Sequence, residues 1–203
     1  MVSLYNMKTC LFLYFTLGTF LFVAAQKWEL NKNKNGITIY TRSLDSTQIN
    51  EYKAVLLSNT TIEKALKVIT DGDNLWKWNH NTSKSKTLKR LGNNEFFIWM
   101  KNDLPWPVKN RDNISHIRVK KIPDGYWIDI LPGPKDLIPL EKGTIRITNF
   151  RGYWCITQKG NQVKITQQLY GDPGGSLPLW LLNSVLSQAP LHSFSDLKAL
   201  LEN

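Results

Sequence analysis

The sequence predicts a single α+β domain: an antiparallel sheet followed by one long C-terminal helix. Three observations carry that prediction. Short runs of β-branched and aromatic residues recur from Ser83 to Tyr170, bounded by Gly, Pro, Asn or Asp, and they lie too close together for helical crossovers. Helical spacing of apolar residues is confined to a segment after Thr61 and to Leu181–Leu201. After Ala25 no repeat, low-complexity linker or composition shift divides the chain.

Trp28 to Leu30 reads as a short strand. Asn31 to Gly36 follows as a turn, and Ile37 to Thr41 returns as the second arm of a hairpin. Asn50 to Ser58 is a third strand. Thr60 or Thr61 then caps a helix whose Ile62, Ala65, Leu66 and Ile69 recur at helical spacing, and Asp71-Gly72 ends it. Asp73 to Trp78 suits a short second helix presenting Trp76 and Trp78. Seven strands are expected next: Lys86 to Leu91, Glu95 to Asn102, Asn113 to Ile122, Tyr126 to Leu131, Gly143 to Asn149, Tyr153 to Lys159 and Gln162 to Tyr170. Pro173-Gly174-Gly175 breaks the pattern. Ser176 or Leu177 opens the last helix with Pro178 in its first turn. Its stripe runs through Leu181, Leu182, Val185, Leu186 and Ala189, and after a kink at Pro190 through Phe194, Leu197, Leu200 and Leu201.

Residues 1–25 read as a secretory signal and residues 26–203 as the domain. Lys8 is the only charge in the leader, the run from Leu11 to Ala25 is uncharged, and Val23-Ala24-Ala25 supplies the small residues of a cleavage site. The run falls short of the roughly 20 residues of a membrane helix. Cleavage is therefore expected, with an uncleaved anchor as the alternative. The destination is the periplasm or the extracellular space. Of the two cysteines only Cys155 follows Ala25, so the domain has no internal disulfide to lean on.

The 203 residues carry 26 Lys and Arg against 16 Asp and Glu, a net charge of +10 that falls to +9 once Lys8 leaves. Lys84-Ser85-Lys86 with Lys89-Arg90, and Arg118 with Lys120-Lys121, read either as a solvated face or as cations drawn to an anionic membrane, each contributing about 1 kcal/mol near the surface. Nucleic acid is not an expected partner, since export removes the chain from it and no reading motif is present. A monomer is expected.

Chemistry-bearing motifs are missing. His80, His116 and His192 are scattered and Cys155 stands apart, so neither a metal site nor a cofactor is expected. Ser176 in Gly-Gly-Ser-Leu-Pro lacks the full Gly-x-Ser-x-Gly of a nucleophile elbow, and no glycine-rich loop links a strand to a helix.

Three segments do carry a resemblance. The first is Asn74-Leu75-Trp76-Lys77-Trp78-Asn79-His80-Asn81, running on through Leu88-Lys89-Arg90-Leu91-Gly92 to Phe96. The second is Pro105-Trp106-Pro107-Val108-Lys109-Asn110-Arg111-Asp112. The third is Asp172-Pro173-Gly174-Gly175-Ser176-Leu177-Pro178 followed by Leu181-Leu182-Asn183-Ser184-Val185-Leu186-Ser187. Together and in this order they resemble START-type lipid-transfer domains, over roughly Gly36 to Leu201. The resemblance implies a helix-grip (START/Bet v 1-like) fold, a curved antiparallel sheet wrapped on the C-terminal helix. It also implies an apolar cavity that binds, and in the family transfers, a lipid or other hydrophobic molecule without catalysis. Two features depart from the family pattern: the long N-terminal helix is absent, and Lys77 stands where sterol-binding relatives have an acidic residue before Trp-Asn.

On that footing the expected ligand-binding residues are Trp78, Phe97, Trp99, Arg111, Trp127, Tyr170, Leu182, Val185 and Leu186, with Ile145 and Tyr153 as lesser wall candidates. Strand alternation puts Phe97 and Trp99 on one face and Phe96, Ile98 and Met100 on the other. Both faces are apolar, and Phe97 and Trp99 are taken as the ligand side. Arg111-Asp112 reads either as an ion pair or turn brace, or as an arginine at the cavity able to meet a carboxylate or phosphate head. Leu182, Val185 and Leu186 serve as core and cavity lid alike. The alternative function is a grip-fold enzyme, a cyclase or hydrolase, which needs a titratable pair such as Asp129 or His116 near Arg111.

Overall fold

The computed structural model describes residues 26–175, 177–178, 181–182 and 184–203, without the side chains of Ser184 and Val185. The expected leader, residues 1–25, and Ser176 as a helix start lie outside the described residues.

Ten strands form the sheet: β1 (Glu29–Lys34), β2 (Ile37–Leu44), β3 (Thr47–Ser58), β4 (Thr82–Arg90), β5 (Glu95–Asn102), β6 (Asn110–Ile122), β7 (Gly125–Pro132), β8 (Thr144–Ile147), β9 (Phe150–Lys159) and β10 (Gln162–Gly171). Helix α1 (Ile62–Thr70) joins β3 to β4, and α2 (Ala189–Glu202) ends the chain. The spatial order is β1-β2-β3-β10-β9-β7-β6-β5-β4. A three-strand meander and a later antiparallel run therefore meet at the β3–β10 pair, and α1 carries the chain from that seam to the far edge. Asn35-Gly36, both at positive φ, make the β1–β2 turn. This is a tighter turn than the Asn31–Gly36 expected, because β1 extends to Lys34.

The meander has one exception. β8 pairs parallel with β6 at Asn110–Asn113, beyond the stretch where β7 pairs with β6. β7 stops at Pro132, Pro134 follows, and the chain crosses the outer face before re-entering the vacated slot in the opposite direction. At the other end of β7 glycine is obligatory. A Cβ at Gly125 would lie 1.9 Å from the Ile156 carbonyl oxygen of β9.

α1 forms because Thr61 accepts a hydrogen bond from the Lys64 N–H at 3.1 Å, with Glu63 in the first turn, and because Ala65 and Ile69 share a buried face. The expected second helix is a single 3₁₀ turn, Leu75–Lys77, that exposes Trp76 and buries Trp78.

The C-terminal segment is helical at Leu181–Leu182, π-helical over Ser184–Gln188 and α-helical from Ala189. The wide turn has a cause in Pro190, which has no N–H for the Leu186 carbonyl and whose ring crowds it. Beyond it Phe194, Leu197 and Leu201 pack on the sheet, while Leu200 stays exposed. The helix end is tied down as well: Glu202 accepts from the Ser58 hydroxyl and the Asn59 N–H, and Lys64 Nζ donates to the Leu201 carbonyl. The main core lies between α1, α2 and the inner sheet face, with Ile39, Leu56, Ile128, Ile156 and Ile165 at its centre.

Candidate functional site

Pairing fixes which side chains face the helix. On β5 and β6 the cross-strand pairs are Phe96–Ile117, Ile98–Ser115, Met100–Asn113 and Asn102–Arg111, so these eight residues share the inner face. Toward Phe96 and Ile117 the face is core. Toward Arg111 it opens into a cavity of about 240 Å³ between sheet and lid. Strands contribute Ile49 and Tyr52 (β3), Met100 and Asn102 (β5), Arg111, Asn113 and Ser115 (β6), Ile130 (β7), Ile147 (β8), Phe150 (β9) and Leu169 (β10). Leu182, Leu186, Ala189, Pro190 and Ser193 cover it, and Asn79, His80, Asn81, Leu104 and Leu177 belong to the flanking loops. A smaller apolar recess of about 60 Å³ shares Asn79, Met100, Ser115 and Ile130 with it and continues to Trp78, Ile117, Ile128 and Trp154.

Of the nine residues expected at the ligand, Arg111, Leu182 and Leu186 line the cavity and Trp78 lines the recess, edge-on to Trp154. The Val185 side chain lies outside the described residues. The other four are elsewhere, and the expected faces are corrected. Phe97 and Trp99 point outward, where with Ile114 they form a second cluster covered by Leu88 and Ile138. Trp127 stacks on Tyr153 at 3.9 Å on that same outer side and donates to Asp129. Tyr170, adjacent to the cavity-lining Leu169, turns away from it beneath the Arg151 guanidinium. Outer-face positions of this sheet satisfy large rings by stacking them on one another and on cations.

Arg111 and Asp112 do not pair. Alternation sends them to opposite faces. Asp112, buried, accepts from Arg146 through Nε at 3.0 Å and Nη2 at 2.6 Å, and from the Trp99 indole at 2.9 Å. Arg111, also buried, donates to three backbone carbonyls: Pro173 at 3.1 Å, Gly174 at 2.7 Å and Lys109 at 2.5 Å. It thereby braces the loop that leads into the lid.

Asp129 and His116, the groups named as candidates near Arg111 for catalysis, lie on the outer face. His116 meets Glu95, and Asp129 meets Lys120 and Arg118. The imidazole at the cavity is His80, whose ring stacks on His192 of α2 at 4.7 Å while the residue's backbone N–H donates to the Ser193 hydroxyl. Burial first, then His192, lowers the His80 pKa, with Asp196 acting the other way. The unfolded chain therefore takes up this proton first as pH falls. Stability should drop as pH passes below about 6.5 and level off below the folded-state value. Thermal melts at pH 7 and pH 5 check this: the acid-induced drop is expected to be smaller in His192→Gln, and an unchanged drop would count against the pair.

The polar lining from Asn79, Asn81, Asn102, Asn113, Ser115 and Ser193 was not expected. Its legible signal was the period of two on β6: with Arg111 placed inward, Asn113 and Ser115 follow.

An antiparallel sheet gripping a C-terminal helix around an apolar cavity with a polar flank defines a helix-grip ligand-binding protein. The chain belongs to the START domain family, known for lipid binding and transfer, whose family model matches residues 22–203. It is 33% identical over 179 residues to an uncharacterized protein of Pseudomonas aeruginosa, covering 88% of each chain. It is 25% identical over 162 residues to the phosphatidylcholine transfer protein of Rattus norvegicus, covering 77% of this chain and 75% of that one. Among solved structures, a StAR-related lipid transfer protein of Xanthomonas axonopodis superposes with a TM-score of 0.77 at 30% identity, covering 86% of this chain and 98% of the other. Human StAR-related lipid transfer protein 5 reaches the same TM-score at 16% identity, a likeness of fold.

Proposed function

We propose that this protein is an exported, monomeric, non-catalytic carrier that holds one lipid or similar hydrophobic molecule between sheet and lid and exchanges it at an anionic membrane surface. The observation that carries the reading is the cavity itself, covered by Leu182 and Leu186 and continued inward by an apolar recess. The lipid-transfer names of its relatives support it. The described lining carries no carboxylate. Its ionisable groups are Arg111, His80 and Tyr52, and burial pushes the Tyr52 phenol well above its usual range while it donates to Gln167.

The membrane reading rests on Trp106, which is 92% exposed on the loop that also carries the cavity-flanking Leu104 and the exposed Lys109. An indole in water beside a cation suits the bilayer interface. Export rests on the leader, and its cleavage would leave a mature protein beginning at Gln26.

Native mass spectrometry of the protein expressed in its own host is expected to show a lipid bound one to one. In vesicle assays Ala189→Trp, which fills the cavity from the lid, should cut uptake at least about tenfold, in line with the cost of overpacking a closed space. Trp106→Ala should weaken vesicle binding and spare the fold. A protein that emerges empty and takes up no lipid from vesicles would refute the reading.

A further inference from the structure

We propose that the ligand is a single-chain amphiphile with an anionic head, a carboxylate or a phosphate, seated against Arg111, with its tail directed past Met100 and Ile130 into the recess by Trp154. The proposal rests on the carrier reading above and names the class of molecule carried.

The charge balance of the cavity requires such a head. Arg111 is 3% exposed and is the only permanently charged residue among the described lining residues. No carboxylate among the described residues lies within ion-pair distance of it. The acidic groups nearest in sequence or across the brace are committed elsewhere: Asp112 to Arg146 and Trp99, Asp103 to Asn110, and Asp172 to the Gly174 N–H. A guanidinium does not deprotonate in proteins, and its partners here are neutral carbonyls. A buried charge left without a counter-charge is strongly destabilising, so an anion delivered with the ligand is the missing partner. Three of its five N–H groups are spent on backbone carbonyls, two of the loop and one of Lys109, which leaves two for that anion.

The inner face of β6 grades in the same direction. From Arg111 it passes to Asn113, then Ser115, then Ile117: charge, amide, hydroxyl, hydrocarbon. Asn113 donates to Ser115 at 2.8 Å, and Ser115 borders both cavity and recess. A molecule polar at one end and apolar at the other matches this gradient in one orientation. Volume limits it to one chain. About 240 and about 60 Å³ give room for roughly ten water- or methylene-sized groups at ~30 Å³ each.

Isothermal titration of the purified protein with octanoate, octyl phosphate and octanol, each kept monomeric, tests this. The two anions are expected to bind about 10- to 100-fold tighter than the alcohol, the range of a charge-assisted hydrogen bond. The ratio between them tells carboxylate from phosphate. Arg111→Gln should collapse the anion-to-alcohol ratio toward one. Because Arg111 also braces the lid loop, ¹³C NMR titration of carboxyl-labelled octanoate on the unmodified protein gives a second readout: the bound carboxyl should titrate below the free acid. Equal binding of anions and alcohol, or an unshifted carboxyl, would overturn the anionic head and leave the carrier reading standing. Failure of all three single chains, with lipid still drawn from vesicles, would overturn the single-chain class. Only failure of vesicle uptake as well would remove the carrier.

Discussion

Arg146→Met is expected to lower stability by about 3–5 kcal/mol, the range measured when one partner of a buried ion pair is removed. Asp112 is 1% exposed and holds Arg146 through two hydrogen bonds, with the Trp99 indole as its other partner. Methionine keeps much of the side-chain volume and removes the cation, so the carboxylate stays buried facing only an indole. Arg146 also donates to the Lys135 carbonyl and, at 2.7 Å, to that of Ile138. The variant therefore loses the clamp that holds the segment after β7 over Phe97 and Trp99. Urea denaturation measures the loss. The double variant Asp112→Asn with Arg146→Met should recover part of it, because the stranded charge is then gone. A loss below about 1 kcal/mol would place this pair among surface-like ion pairs and would mean that the loop is held by apolar contacts alone.

The same loop explains where the sequence was legible and where it was not. β5, β9 and β10 stand within a few residues of their expected bounds, because alternating β-branched and aromatic residues broken by Gly or Asn are a local signal. Thr61 marked the start of α1 for the same reason. The face of β5 was not local information. Alternation tells inside from outside only when one face is wet, and here a Cβ added to Gly133 would come within 3.0 Å of both Ile114 and Phe97, so the loop lies directly on the outer face. With both faces buried, Phe97 and Trp99 looked as much like cavity wall as Phe96 and Ile98. Non-local pairing decides it: Met100 opposite Asn113 and Asn102 opposite Arg111 turn the even positions of β5 inward.

The candidate site shows the converse. Its lid was readable, since Leu182 and Leu186 sit on a helical stripe, and Arg111 was singled out by its motif. The remaining wall comes from one or two residues on each of six further strands, β3, β5 and β7 to β10. No window of sequence contains them. The aromatic excess misled for a physical reason: Trp127, Tyr153 and Tyr170 are large and half or fully buried, yet they meet one another or Arg151 outside the sheet. The cavity is walled mainly by Ile, Leu, Met, Asn and Ser, with Tyr52 and Phe150 as the Tyr and Phe rings among its described lining residues.

The lid depends on an anchor beyond the cavity, and removing it should be as damaging as breaking the ion pair. Phe194→Ala is expected to cost about 3–5 kcal/mol, the range for deleting a fully buried ring and leaving a void. Phe194 is fully buried and lies against Trp154, ring centroids 5.5 Å apart and nearly parallel. Trp154 in turn lines the recess, so this contact joins helix, sheet and the inner end of the ligand space. A 14-residue helix has little stability of its own. What holds α2 is the stripe of Phe194, Leu197 and Leu201, and the covering segment before Pro190 has less: Leu182 and Leu186 are only half-buried. Loss of the ring should therefore loosen the lid as a unit. Two measurements separate this from simple core damage: the denaturation midpoint of Phe194→Ala against Phe194→Leu, and hydrogen exchange along the chain. Phe194→Leu should retain most of the stability. Exchange in the alanine variant should rise first in α2, ahead of β9 and β10, because the sheet ladder remains closed without the helix. Uniform acceleration across sheet and helix would show that the two unfold only together, and the lid would then have no independent opening for a ligand to use.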